Sequence, residues 1–548
     1  MRVRVAGPWI VAMMALMIGS MAGLARAGGP SDSSTRGRPI RTDPVESARD
    51  ARTLAARIDA VLAARWAKSG LRPAAIADDG EFLRRAYLDL VGKIPTAAEA
   101  RDFLDDPAPG KRAALIDRLL DSPAYTAHAT EVWRRMLLPE ADTDDEARPF
   151  APTFAGWLRR KVVEDAGYDR IVREILTAKL DAPQSDLDLA NGVVRAVPAP
   201  SPAAYYLAKG RKPESLAAGT ARVFLGIRLE CAQCHNHPFA SWKREQFWSL
   251  AAFFAEVPSE GNDPTRMMRR ERPAPIRELT IPGTKKVVAA TLLDGTKPEW
   301  RPRAGTREIL AEWVTSPENP YFARALVNRV WARFLGAGLI EPVDDLDGET
   351  DPELKALLDE VSDQFRAHGD RLKFLIRTLT ATRAYNLSSA GIGTGHDSSA
   401  TGPMFATMPV RGLTPSQLFD SLTRATGSGQ AGDRARFLEL FGGGQERPSE
   451  AETTIVQALT LMNGSYIDAA TDPATGRVLG AIVGAPFLDT RGRIETLFLA
   501  TLTRRPTPVE MAKLVDYVGR RKSDEERSKA LADIFWALLN GPEFHLNH

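Results

Sequence analysis

The sequence predicts a mainly α-helical protein of two helical lobes with a small β-hairpin element between them. Three observations carry this. Apolar residues recur at three- and four-residue steps over most of the chain. Capping signals precede several of those stripes. One stretch alone, 257–304, gathers β-branched residues around a Pro-Gly turn. At 548 residues, two or more domains are expected, each large enough to bury a core. With 44 % apolar and 26 % charged residues, the composition excludes wholesale disorder. The formal charge of +2 gives no basic excess for nucleic acid.

Arg2 and Arg4 precede an apolar run from Trp9 to Leu24, which Ala25-Arg26-Ala27 follows. This is the pattern of a signal peptide over residues 1–27. The run is short for a membrane span of about 20 residues, so the mature chain is expected to carry no transmembrane span. Loss of Arg2, Arg4 and Arg26 takes the charge from +2 to −1. A near-neutral protein exported to the periplasm or cell envelope is predicted, with residues 28–50 as a flexible leader.

Residues 51–256 read as an N-terminal helical domain. Leu54, Ile58, Val61, Leu62 and Trp66 form the first stripe, and Phe82, Leu83, Ala86, Tyr87 and Leu90 the second. Gly92 and Pro95 end it, and Thr96 with Glu99 restarts a helix as a capping box. A helix over Ala113–Leu120 stops at Asp121-Ser122-Pro123, and acidic or Pro-rich stretches interrupt at 139–152 and 181–203. Helix is expected again over Ala204–Cys234 and Trp242–Ala255. A β-containing linker, 257–304, pairs Ile276–Ile281 with Val287–Leu293 across Pro282-Gly283. The C-terminal helical domain, 305–548, runs in helices to about Thr382. Gly/Ser-rich loops follow at 388–403 and 426–447, with helical period elsewhere from Thr414 onward.

The two ends of the chain resemble each other. Tyr87, Leu88, Pro95, Thr96 and Glu99 recur as Phe498, Leu499, Pro506, Thr507 and Glu510 at an offset of 411. Leu119-Leu120-Asp121-Ser122-Pro123 is echoed by Leu538-Leu539-Asn540-Gly541-Pro542. One helical module used twice, or a shared way of starting and stopping helices, accounts for both.

Cys231-Ala232-Gln233-Cys234-His235 is the strongest chemical signal. C-x-x-C-H is the attachment motif of c-type haem. On an α-helix the three side chains at i, i+3 and i+4 face one way. Two thiols can then form thioethers while His235 reaches iron. His237 leaves room for a haem-free Zn²⁺ or copper site with His235 and the cysteines, and the two thiols alone suit a structural or redox disulfide. Six aromatics in 239–254, among them Trp242, Phe247, Trp248, Phe253 and Phe254, either wall a macrocycle or form an ordinary helix core. Arg222, Arg228, Lys243 and Arg244 either pair with propionates or are solvated. Met267, Met268, Met404, Met408 and His128 are candidates for a sixth iron ligand. Arg324 and Asn328 share a helix face as a groove or as anchors. Asp344, Asp345 and Asp347 form an acidic loop without the spacing of a known Ca²⁺ site. Glu81 and Asp89 read as a pair of acids or as a solvated face.

Several stretches resemble known families. Phe82-Leu83-Arg84-Arg85-Ala86-Tyr87-Leu88-Asp89-Leu90 and Thr220–Phe239 with Trp242 are similar to domain-of-unknown-function family 1549, labelled planctomycete cytochrome-like. Leu310–Trp313, Asn319–Arg324, Asn328-Arg329-Val330-Trp331, Leu413–Leu418 and Leu461–Gly464 resemble its usual partner, family 1553. The resemblance implies an exported bacterial protein without an assigned reaction. The resulting expectation is an exported haem-c-type redox protein, in electron transfer or an oxidoreductase step, with a redox partner or an envelope protein as its partner. The alternative is a non-catalytic envelope binding or scaffolding protein whose Cys/His site holds Zn or nothing.

Overall fold

Helices form where the apolar stripes and caps coincide. The computed structural model describes residues 44–180, 199–238, 240–257, 276–302, 304–348, 351–390, 403–429, 431–441 and 465–548. The stretch expected as a signal peptide, most of the expected leader, Phe239, Met267, Met268 and Leu461–Gly464 lie outside them. The first stripe becomes the helix Pro44–Lys68, with Leu54, Ile58, Leu62 and Trp66 all at or below 2 % exposure. Asp78 caps the helix Asp79–Leu90, and Thr96 and Glu99 close a capping box on Ala97–Asp105. Lys111–Leu120, Pro123–Leu137, Ala151–Val163 and Tyr168–Leu176 follow. The last of these buries Ile171, Val172, Ile175 and Leu176, worth about 1.5–3 kcal/mol per side chain.

The hairpin forms at the predicted place. Strand β1, Glu278–Thr280, pairs antiparallel with β2, Val287–Ala289, in the register Leu279 to Val288. Helices Thr306–Val314, Phe322–Leu335, Pro352–Ala367 and Leu372–Ala381 then complete the larger core. That core draws mainly on residues 51–408, so both family-like regions contribute to it. A smaller core is built mainly from 413–544. It contains Pro415–Thr426, Arg477–Gly484, Thr490–Thr501, Pro508–Gly519 and Asp524–Asn540. Inside the expected Gly/Ser-rich loop 426–447, residues Ala431–Phe441 are helical. No helix among the described residues is long and apolar enough to cross a membrane.

The two similar ends meet. Thr507 and Glu510 close the same capping box as Thr96 and Glu99, and helix Thr490–Thr501 packs on Ala97–Asp105. Leu88 lies in the smaller core, whereas its counterpart Leu499 lies in the larger one. Arg84, with no exposed surface, crosses the same seam and donates to the carbonyls of Thr501, Glu543, Phe544 and Leu546. Near the C-terminus, Arg411–Gly412 forms β3 and pairs with β4, Leu546–Asn547.

Candidate functional site

The C-x-x-C-H segment is not on an α-helix. Gly210, with φ +59°, first interrupts the expected helix 204–234. Helix Pro213–Thr220 passes into one π-turn, Ala221–Leu225, which Gly226 ends at φ +62°. A Cβ at position 226 would lie 3.1 Å from Leu346 and 3.2 Å from Ala325, so glycine serves both the left-handed backbone and the close approach. Glu230–Gln233 then makes a single 3₁₀ turn, with Cys234 at its end. Cys231 thus lies within the turn and Cys234 immediately after it. Both thiols are free and exposed.

His235 follows, also exposed, with Nδ1 2.7 Å from the Asn236 carbonyl. A ring nitrogen facing a carbonyl carries the proton, which leaves the Nε2 lone pair for a ligand. His237 is used differently. Its Nδ1 accepts from the Ala240 N–H at 2.9 Å, and its backbone N–H donates to the Trp242 carbonyl at 2.8 Å. With Nδ1 accepting, a neutral ring bears its proton on Nε2, so in this arrangement His237 closes the loop. Among the described residues, no three His, Cys, Asp or Glu side chains come together as metal ligands.

The turn is held from two sides. The Gln233 carbonyl accepts from Trp248 Nε1 at 3.0 Å and Arg244 Nε at 3.3 Å. Asn236 Oδ1 accepts from the Arg244 N–H at the start of helix Arg244–Ala251. From the family-1553-like side, Arg329 donates to the carbonyls of Val223 (2.7 Å) and Arg222 (2.9 Å), satisfying the π-turn. It also meets Asp344, which Arg222 shares. Burial opposes ionisation of Asp344, and these two guanidiniums overcome it, lowering its pKa. Asn328, fully buried, pins the chain at Ile340 and Val343. Leu346 N–H then reaches the Gly226 carbonyl at 2.9 Å, and Asp347 accepts the Trp242 indole N–H at 2.7 Å. Burial raises the Asp347 pKa, an effect the Trp242 N–H partly offsets and Asp345 adds to.

The other candidates separate. Phe247, Trp248, Phe253 and Phe254 are buried core residues, so they pack the helix and do not wall a surface site. Arg222 and Arg244 are engaged as described, while Arg228 and Lys243 are exposed. Met404 and Met408 are buried in the larger core. Asn328 is an anchor, and Arg324 instead lines a groove. Asp344, Asp345 and Asp347 do not converge as a cation site, because Asp344 is spent on arginines and Asp347 on Trp242. Glu81 and Asp89 do not face solvent as a pair of acids. Glu81 takes Arg85, Ser388 and the Ser389 N–H.

Asp89 centres a buried cluster. It accepts from Tyr385 OH at 2.9 Å, Arg411 at 3.0 Å and Asn547 at 3.0 Å. Arg411 donates onward to the Arg333 carbonyl, and Arg333 stands 3.1 Å from His128 Nε2. Burial, then Arg333 and Arg135, push the His128 pKa down to about 3. Sequence reasoning missed this cluster, together with Arg329 and Asp347 as supports of the cysteine turn. Their partners are 105 or more residues away in the chain, except for the Arg329 contact with Asp344 and the Arg411 contact with Arg333, 78 apart. The one local hint was arginine inside an apolar helical stripe.

Fold and site together define a mainly α-helical protein that presents a dithiol–imidazole turn, supported from both of its family-like regions. Residues 57–259 match the family model PSCyt2, a protein of unknown function (DUF1549), and residues 306–439 match PSD1, a protein of unknown function (DUF1553). Each model matches one region of the chain, and the two stand in the order its motifs indicate. No curated protein and no solved structure matches it.

Proposed function

We propose that the chain is an exported redox protein in which Cys231 and Cys234 would hold haem c through thioether bonds and His235 would be a ligand to its iron. The observation that supports this is the state of the turn. Two exposed, unpaired thiols three residues apart adjoin an imidazole whose Nδ1 is fixed by a carbonyl. Haem, when bound, supplies a one-electron couple. The protein's own part is to keep the turn in place through Gln233 and to hold the tautomer of His235 through Asn236. The role is electron transfer, or an oxidoreductase step on an extracytoplasmic substrate.

A second reading has its own support: the aromatics nearest the turn face inward, and the two cavities described are about 160 and 210 Å³. Ligand pockets for larger molecules usually span about 300–1,000 Å³. On that reading the protein is a non-catalytic envelope scaffold whose thiols form a staple or bind zinc. Expression in a host with working haem-c maturation separates the two. Haem should stay attached through denaturing electrophoresis, and Cys231→Ser with Cys234→Ser should abolish it. Colourless protein carrying zinc or a disulfide would overturn the redox reading.

A further inference from the structure

Beside the loop that carries the cysteines lies a cavity of about 160 Å³. Its floor is apolar, with Ile340, Leu346 and Leu358, and its rim is polar, with Tyr321, Arg324, Asp347 and Lys355. Two of these rim groups are cations with donors to spare. Arg324 Nε meets Asp359 at 2.5 Å, but among the described residues its terminal nitrogens make no hydrogen bond, and neither does the Lys355 ammonium. Asp347 also borders the cavity, with one oxygen taken by Trp242. Burial and Asp347 raise the Tyr321 pKa, which keeps its hydroxyl a donor at neutral pH.

We infer that this cavity is a binding site for a small carboxylate with a compact apolar body. The terminal nitrogens of Arg324 and the Lys355 ammonium supply charge-assisted donors for the carboxylate. The apolar floor takes the hydrocarbon, which a free inorganic anion lacks. The volume limits the ligand to a few heavy atoms, well below drug size. Through Asp347 and Trp242 the site adjoins the cysteine loop, yet it stands without any assumption about what those cysteines hold.

The test is a ligand-observed NMR titration of the full chain with butyrate, using butyramide and inorganic phosphate as competitors at equal concentration. Butyrate should bind in roughly the millimolar range expected of so small a ligand. Butyramide should compete at least about tenfold more weakly, because it lacks the charge that Arg324 and Lys355 meet. Phosphate should also compete weakly, because it cannot use the floor. Lys355→Gln, on an exposed helix surface, should weaken butyrate about 3–5-fold, in line with one exposed ion pair. Absence of butyrate binding, equal competition by butyramide or by phosphate, or an unchanged affinity in Lys355→Gln would each overturn the proposal.

Discussion

The Asp89 cluster and the Cys231–Trp242 loop both gather ionisable and nucleophilic groups, and they differ in what satisfies them. Around Asp89 the carboxylate has three donors, Arg411 has a second acceptor, and His128 is closed in by Arg333. Asp89, Tyr385, Arg411 and Asn547 are all buried, and the cluster ties together helix Asp79–Leu90, helix Phe322–Leu335 and strands β3 and β4. In the loop the backbone is pinned, while Cys231, Cys234 and His235 are exposed to solvent. The strongly shifted titration of His128 therefore reports burial in a structural junction. A turn with a pinned backbone and exposed thiols is the better mark of a site.

The sharpest way to break this comparison is to remove a group from each region. Asp89→Ala strands Arg411, Tyr385 and Asn547 without their acceptor, and urea unfolding should show a loss of about 3–5 kcal/mol. Cys231→Ser with Cys234→Ser should change the stability of the haem-free protein by no more than about 0.5 kcal/mol. Equal losses would remove the distinction. Next in size is Arg329→Met, which takes charged donors from the Arg222 and Val223 carbonyls. A loss of about 2–3 kcal/mol is expected, with faster amide exchange across 221–235. Unchanged exchange there would detach the family-1553-like region from the turn.

A further effect depends on pH. His128 titrates near 3 in the folded chain against an ordinary value of 6.5, so between those values the unfolded state binds more protons. Stability should fall as the solution is acidified through that window, by about 2 kcal/mol at pH 5. His128→Gln should flatten that part of the profile, as measured by unfolding at pH 7 and 5. An equally steep profile in the variant would assign the acid lability to other groups.

Much of the fold was legible because its signals are local. Thr96 with Glu99, Thr507 with Glu510, and Pro282-Gly283 each act within a few residues, and each produces the cap or turn expected of it. The helix expected through Cys234 failed for a reason that only packing supplies: Gly226 turns left-handed where Leu346 and Ala325 press against it. Strand β4 could not be read from Leu546 and Asn547 alone, since its partner is Arg411–Gly412. At the site, the residue types of the C-x-x-C-H motif were plain in the sequence. Their mounting on a 3₁₀ turn was not, nor was its support by Arg329 and Asp347, because those partners come from the other family-like region.

Haem attachment at Cys231 and Cys234 is tested most directly by the intact mass of the chain purified from the envelope of a host that matures c-type haem. The expected result is a chain beginning at Gly28 and heavier by one covalently attached haem, with the added mass absent from the Cys231→Ser, Cys234→Ser variant. A chain of the bare polypeptide mass, or one lighter by the two hydrogens of a Cys231–Cys234 disulfide, would contradict it.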